Sequence, residues 1–245
     1  MSGHSKWSTI KRKKGATDAK RGRLFSKLNR EILLAAKDGG GDPDANIRLR
    51  NAIASAKAAN MPKDNINRAI MKGTGQGMDG VIFEEMVYEG YGPSGVAVLV
   101  ETISENRNRT TAEVRHAFTK FGGNLGESGC VGWMFDRRGL FVFDSEGLDI
   151  DNLEEIAIEN GAEDIRESEG SVEVTCAIED YNKLREAFEA ANLETESADL
   201  AYLPQSTAEL TGKSAATMLK LMESFEELDD VENVWANFDI SEEET

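Results

Sequence analysis

Four glycines within eight residues, at positions 73, 75, 77 and 80, fall where the charge of the chain changes sign. Glycine loses more backbone freedom on ordering than any other residue, so a helix or strand does not run through such a stretch and the chain must fold as units on either side. Residues 1–72 hold 17 Lys and Arg against 6 Asp and Glu, a net +11, while residues 73–245 hold 11 against 39, a net −28. The overall −17 therefore conceals a basic, polyanion-seeking segment joined to an acidic body. At about 150 residues per domain, 245 residues predict two or three domains.

Within the basic segment, Leu24, Leu28, Ile32 and Ala35 recur at spacings of four, four and three, which predicts a helix over 17–37 with one apolar face. Lys20, Arg23, Lys27 and Arg30 form a second stripe on it, roughly 130° from the first. Gly39–Gly41 end that helix. A second starts after Pro43, with Leu49, Ile53 and Ala56 inward, and a third starts at Pro62 and runs through Ile66 and Ile70 to a stop at Gly73. Packing the three together is the simplest way to bury their apolar faces. Ahead of them His4, Lys6, Trp7, Lys11, Arg12, Lys13 and Lys14 form an arm with five basic residues in the nine from 6 to 14. Point charges that displace counterions, with an aromatic that can stack on a base, suit a nucleic-acid backbone. The competing reading is a solvated arm that pairs with the acidic body. Arm and helical stripe carry the same sign together, which favours polyanion binding. A helix-turn-helix over the second and third helices has little support, because their connection, Ala58–Pro62, holds no glycine.

In the acidic body, strands over 83–91 and 95–103 flank the turn Gly92-Pro93-Ser94-Gly95, with Val96, Val98 and Val100 alternating against Ala97, Leu99 and Glu101. Thr110-Thr111-Ala112-Glu113 reads as a capping box opening a helix with Val114, Phe118 and Phe121 inward. A strand pair is expected near 130–136 and 139–143. From residue 139 the order is strand 139–144, helix 151–160, strands 162–167 and 171–177, helix 180–191 and strand 198–203, a βαββαβ unit of ferredoxin-like type. A helix over 212–227 and a strand over Val231–Phe238 cannot bury their faces alone, so they are expected to return to the hairpin begun at residue 81. The fold class is thus α+β: an N-terminal three-helix module followed by two ferredoxin-like α/β domains, one inserted in the other. The expected boundaries are 1–80, 81–137 plus 207–245, and 138–206.

Residues 136–206 carry net −15 and residues 73–135 only −4. In the latter, Arg107 and Arg109 lie just ahead of the expected helix start, where unpaired backbone N–H groups and guanidinium forks together suit an anion. The alternative is that the two arginines pair with neighbouring acids or brace the hairpin.

Other chemistries find little support. Cys130 and Cys176 lack metal or redox spacing and are expected as small buried residues in strands. Thr211-Gly212-Lys213-Ser214 resembles the end of a phosphate-binding loop, but Thr207 stands where glycine is required. The glycines at 73, 75 and 77 follow a helix rather than a strand and have the wrong spacing for a dinucleotide fingerprint. Only His4 and His116 are available for a nucleophilic triad. Asp144, Asp149 and Asp151 fit no calcium-loop register. No catalytic residue, metal, cofactor or small-molecule substrate is therefore expected. The polar N-terminus lacks a signal-peptide core and no stretch approaches the ~20 apolar residues of a membrane span, so a cytoplasmic protein with no membrane partner is expected.

Several long motifs stand in order along the chain: M-S-G-H-S-K-W-S-T-I-K-R-K-K, M-P-K-D-N-I-N-R-A-I, Y-E-G-Y-G-P-S-G-V-A-V-L-V-E, E-N-R-N-R-T and G-G-N-L-G-E-S-G-C-V-G-W-M-F. With these the sequence resembles the YebC/PmpR family of probable transcriptional regulators over essentially its whole length. The family often has Thr-Asp where this chain has Ser104-Glu105, which leaves the arginines in place. The resemblance implies three domains and a role in gene expression. It makes DNA the nominal partner, while relatives including a mitochondrial translational activator imply the alternative of rRNA and ribosomes stalled on proline-rich stretches. Phosphate contacts do not report which nucleic acid is bound.

Overall fold

The computed structural model describes residues 18–75, 83–168 and 170–240. Three helices come first: α1 (Asp18–Gly39), α2 (Ile47–Ala58) and α3 (Lys63–Gly73). Their shared core is Leu28, Ile32, Ala35, Leu49, Ala52, Ala56, Met61, Ile66 and Ala69. Asn46 fastens the corner between the first two. Its Oδ1 accepts from the Leu49 N–H at 3.1 Å, capping α2, and its Nδ2 donates to the carbonyls of Ala35 and Gly40 at 2.7 and 2.9 Å. Leu24, expected on the buried face, is 45% exposed. Phe25 takes that place instead, because α3 passes on its side and Phe25, Met61 and Asn65 line one depression.

The next strands are β1 (Glu84–Tyr91) and β2 (Ala97–Ser104), paired antiparallel with Gly90 opposite Val98. They are followed by α4 (Arg107–Lys120) and the two-residue β3 (Asn124–Leu125). A βαββαβ run comes next: β4 (Phe135–Asp144), α5 (Ile150–Glu159), β5 (Ala162–Ser168), β6 (Ser171–Cys176), α6 (Tyr181–Ala190) and β7 (Ser197–Pro204). The described chain ends with β8 (Ala208–Leu210), α7 (Gly212–Glu226), β9 (Val231–Ala236) and β10 (Phe238–Ile240).

Strand β9 returns to pair with β2, giving one sheet of order β3-β1-β2-β9, and the βαββαβ run closes a second of order β5-β6-β4-β7. All pairs within these two sheets are antiparallel. The mixed class of N-terminal helices followed by two antiparallel sheet domains is thus what this sequence folds into. Helices α4 and α7 cover one face of the first sheet, where Phe118 meets Phe225 edge-on at 4.8 Å. Helices α5 and α6 cover one face of the second through Leu153, Leu184 and Phe188. The two remaining faces share a core, with Ala97, Leu99 and Trp235 from the first sheet and Leu140, Val142 and Ala201 from the second. Both sets of alternating residues on β2 are consequently buried, which accounts for the unbroken apolar run from Val96 to Val100.

Three local expectations need correction. Helix α4 begins three residues before the Thr110 box, because Asn106 is the cap: its Oδ1 accepts from the Arg109 N–H at 3.1 Å, whereas the Thr110 hydroxyl is turned inward to the Asn106 carbonyl and Asp230. In place of the strand pair expected near 130–136 and 139–143 there is a 3-10 turn at Gly132–Met134 followed by the single strand β4, since Gly139 packs its α-carbon against Cys176 and Tyr181 and does not turn the chain. The last strand is broken at Asn237, whose Oδ1 accepts from the Ala97 N–H at 2.7 Å and whose backbone N–H donates to the Ala97 carbonyl at 3.1 Å. Beyond it β10 pairs in parallel with β8.

Candidate nucleic-acid interface

His4, Lys6, Trp7, Lys11, Arg12, Lys13 and Lys14 lie outside the described residues, as does the side chain of Lys20 on α1. Of the remaining stripe, Arg23 is half-buried and forms no ion pair with a described residue. Lys27 stands close enough to Glu232 to stabilise its charge. Arg30 is committed to the body: its Nε lies 3.2 Å from Glu232 Oε1, with the side chains 11% and 14% exposed, and its Nη2 donates to the Asp229 carbonyl. The stripe therefore ends at the start of strand β9.

Around that contact the acids outnumber the cations. Burial pushes the pKa of Glu31 up to about 7, and Glu232, Asp199 and Glu101 add repulsion that Arg48 only partly offsets. Burial also raises Glu232, against the pull of Arg30 and Lys27. Two further ties join the helices to the sheets. Arg48 bridges Asp38 at 3.2 Å and also pairs with Glu85, and Arg185 of α6 donates to the Asn51 side chain of α2.

The structure separates the two arginines of the second site. Arg109 Nη2 donates to Asp230 Oδ2 at 2.8 Å; the same oxygen accepts from Ser104 Oγ at 2.9 Å and Thr110 Oγ1 at 2.8 Å. Burial opposes the charge on Asp230, but these three bonds prevail and hold its pKa below the ordinary carboxylate value. Arg109 thus braces the junction of β2, α4 and β9, while Arg107 is exposed and forms no ion pair with a described residue. One helical face carries Arg107, Thr111 and Arg115, four residues apart. These border a cleft of about 340 Å³ whose other walls include Tyr88, Val87 and Ser128. Arg115 is not marked out by the sequence, because a helix begun at the Thr110 box leaves Arg107 off it and hides the spacing.

The far wall of that cleft is built on Glu89. Its carboxylate accepts backbone N–H bonds from Gly129 at 2.6 Å, Val131 at 2.8 Å and Gly132 at 2.6 Å. Burial works against this charge, yet the three bonds outweigh it and lower the pKa. The loop so held carries Cys130, half-buried, and Trp133, which is 69% exposed with its indole N–H on the Cys130 carbonyl at 3.2 Å. Cys176 is buried in β6, and burial raises its pKa to about 11. Among the described residues no group of three His, Cys, Asp or Glu is placed to hold a metal ion, and no helix is long and apolar enough to cross a membrane.

Two family models together span most of the chain. The TACO1/YebC N-terminal domain matches residues 5–76, and the TACO1/YebC second and third domain matches residues 83–238. A probable transcriptional regulatory protein of Geotalea uraniireducens is 60% identical over 244 residues, covering 100% of this chain and 98% of that protein. Another, of Trichlorobacter lovleyi, is 58% identical with the same coverage. The crystal structure of a conserved hypothetical protein from Aquifex aeolicus matches with a TM-score of 0.85 at 48% identity, over 92% of this chain and 93% of that one.

Proposed function

This chain belongs to the TACO1/YebC family, and on that footing we propose that it is a non-enzymatic, cytoplasmic regulator of gene expression that binds nucleic acid, with DNA as its target. The basic unit over 1–80 makes the main contact through His4, Lys6, Trp7, Lys11–Lys14, Lys20, Arg23 and Lys27. Two sheet units, 81–137 with 207–245 and 138–206, orient it, and Arg107 supplies a second contact. Arg30 and Arg109 belong to the same cationic set but are engaged with Glu232 and Asp230 in the free protein.

The observation that carries this reading is the polarity of α1. Its C-terminal half is tied to acidic strand β9 through Arg30, whereas Arg23, about two turns nearer the basic arm, has no acidic partner among the described residues. The acidic bulk then repels phosphate from the other faces and favours one orientation. The relatives named as probable transcriptional regulatory proteins support a role in transcription. A competing reading, a ribosome-associated factor, is favoured by exposed Trp133, since stacking on unpaired bases is an RNA-recognition device.

Gel shifts on promoter DNA and on rRNA fragments, with ribosome sedimentation over a salt series, distinguish the two. Replacing Lys11, Arg12, Lys13 and Lys14 with Gln is expected to weaken binding and flatten its salt dependence. Salt-insensitive binding, or unchanged affinity in that variant, overturns the phosphate-contact mechanism.

A further inference from the structure

We propose that the cleft between α4 and the outer edge of β1 holds the phosphodiester backbone of an unpaired nucleic-acid strand, with Arg107 and Arg115 as its phosphate contacts. The proposal rests on the nucleic-acid reading above and adds to it a site remote in sequence from the basic arm.

The cleft exists because β3 is short. It pairs with β1 only at Gly90 and Tyr91, and after Gly126 N–H bonds the Glu89 carbonyl at 2.8 Å the chain leaves the edge, so β1 is uncovered from Glu84 to Tyr88 on that side. Helix α4 lies across the gap and turns Arg107, Thr111 and Arg115 into it. Eight residues of helix separate the two guanidinium groups by ~12 Å along the axis, a span over which a nucleic-acid backbone presents more than one phosphate.

Charge pairing leaves these two arginines available, and among the described arginines without an ion pair, which also include Arg23, Arg50, Arg68 and Arg137, only Arg107 and Arg115 line this cleft. In this acidic protein Arg30, Arg48, Arg109, Arg138, Arg166 and Arg185 all sit in ion pairs. Arg107 and Arg115 are exposed and have none among the described residues. The one carboxylate lining the cleft, Glu89, has its oxygens taken up by the three N–H groups of the loop, so its charge is compensated where a phosphate would otherwise meet it. The walls are already set. Tyr88 Oη and Thr111 Oγ1 are 2.8 Å apart, and the loop is tied to Glu89. A preformed site binds with little ordering cost. Val87 on β1 lines the cleft and is 47% exposed, and Trp133, 69% exposed on the loop that Glu89 holds, offers further apolar area for bases, and stacking of that kind is tolerant of sequence.

The test uses the full chain and fluorescein-labelled 15-mers of oligouridylate and oligodeoxythymidylate, read by anisotropy over a salt series. Intrinsic fluorescence of Trp133 is taken as the difference between wild type and Trp133→Phe. The double variant Arg107→Gln, Arg115→Gln is expected to bind at least ~10-fold more weakly, with the slope of log K against log salt reduced by about 1.4, two single-strand phosphate contacts at ~0.7 each. Its unfolding temperature should match wild type, since neither side chain has an ion pair among the described residues. Quenching of Trp133 by either oligomer should disappear with it. Wild-type affinity and slope in the double variant overturn the cleft, and if the Lys11–Lys14 variant loses binding at the same time, the arm reading stands without it. Unchanged binding in both variants overturns both. Saturation by uridine monophosphate as tight as by the 15-mer also overturns the strand proposal, in favour of a small-ligand pocket.

Discussion

Arg109 and Asp230, 121 positions apart in sequence, meet at 2.8 Å over a carboxylate that is only 7% exposed. The contact places the start of α4 against the start of β9, and Ser104 and Thr110 complete the set of donors. Asp230→Ala strands three donors in a largely dry site and is expected to cost about 2–4 kcal/mol in urea unfolding. Arg109→Ala leaves Ser104 and Thr110 in place, and with its own side chain 45% exposed it should cost only about 1 kcal/mol. Because the folded pKa of Asp230 lies below its unfolded value, its contribution is present above the unfolded pKa and fades as pH falls through the folded one. Equal losses in the two variants would contradict this division of roles.

Glu31 gives the opposite pH dependence. Its pKa of about 7 in the folded protein stands above the ordinary glutamate value of 4.5, so the folded state holds a proton that the unfolded chain releases between those limits. Stability from this group is full below about pH 4.5 and is lost as pH rises toward 7. The acids that face it are Glu232, Asp199 and Glu101, and the cation is Arg48, with Arg30 and Lys27 acting on Glu232. Glu31→Gln removes the penalty. The variant should be more stable than wild type at pH 8, by up to roughly 3 kcal/mol, and equally stable near pH 4.5. Thermal unfolding of the two proteins across pH 4.5–8 checks it, and parallel curves would show that Glu31 does not titrate in that window.

The loop from Gly126 to Met134 depends on one side chain. Glu89→Ala removes the acceptor for three backbone N–H groups, and unsatisfied groups of this kind cost about 1–3 kcal/mol each when buried. Water can reach the exposed Gly129 end, so a total near 3 kcal/mol is expected. Amide exchange at Gly129, Val131 and Gly132 should speed up selectively, and Trp133 emission should shift as its loop loses its anchor. Unaltered protection of those three amides would mean that the loop is held from elsewhere.

Much of this architecture is legible in the sequence because periodicity reports burial directly. Leu28, Ile32 and Ala35 repeat with the helix, Val172, Val174 and Cys176 with the strand, and all six are buried. What periodicity does not carry is partner choice. Leu24 and Phe25 are both compatible with the α1 face, and only the path of α3 decides between them. The pairing of Arg109 but not Arg107 is decided by Asp230, whose return to the hairpin is a matter of tertiary topology. Asn106 is a cap residue of equal chemical standing, but the Thr-x-x-Glu pattern four residues later obscures it. The basic arm, where the charge signal is strongest, falls outside the described residues, so its seven candidate contacts rest on sequence alone.

Gly22 and Gly73 show the same limit at single positions, since each is a glycine within a helix and nothing local distinguishes them. Gly22 lies in α1 with nothing within 4 Å of where a Cβ would stand. Alanine there should stabilise by about 0.5–1 kcal/mol, through better helix propensity and a less free unfolded chain. At Gly73 a Cβ would lie 2.3 Å from the Leu33 carbonyl oxygen and 2.7 Å from Ala36 Cβ. The end of α3 touches the backbone of α1, so Gly73→Ala must push the helices apart and loosen the core they share. A loss of about 2–3 kcal/mol is expected, seen as a lower urea midpoint together with weaker protection of α1 amides around Leu33. Two substitutions of equal sign would show that the close approach of α1 and α3 is not what holds Gly73 in place.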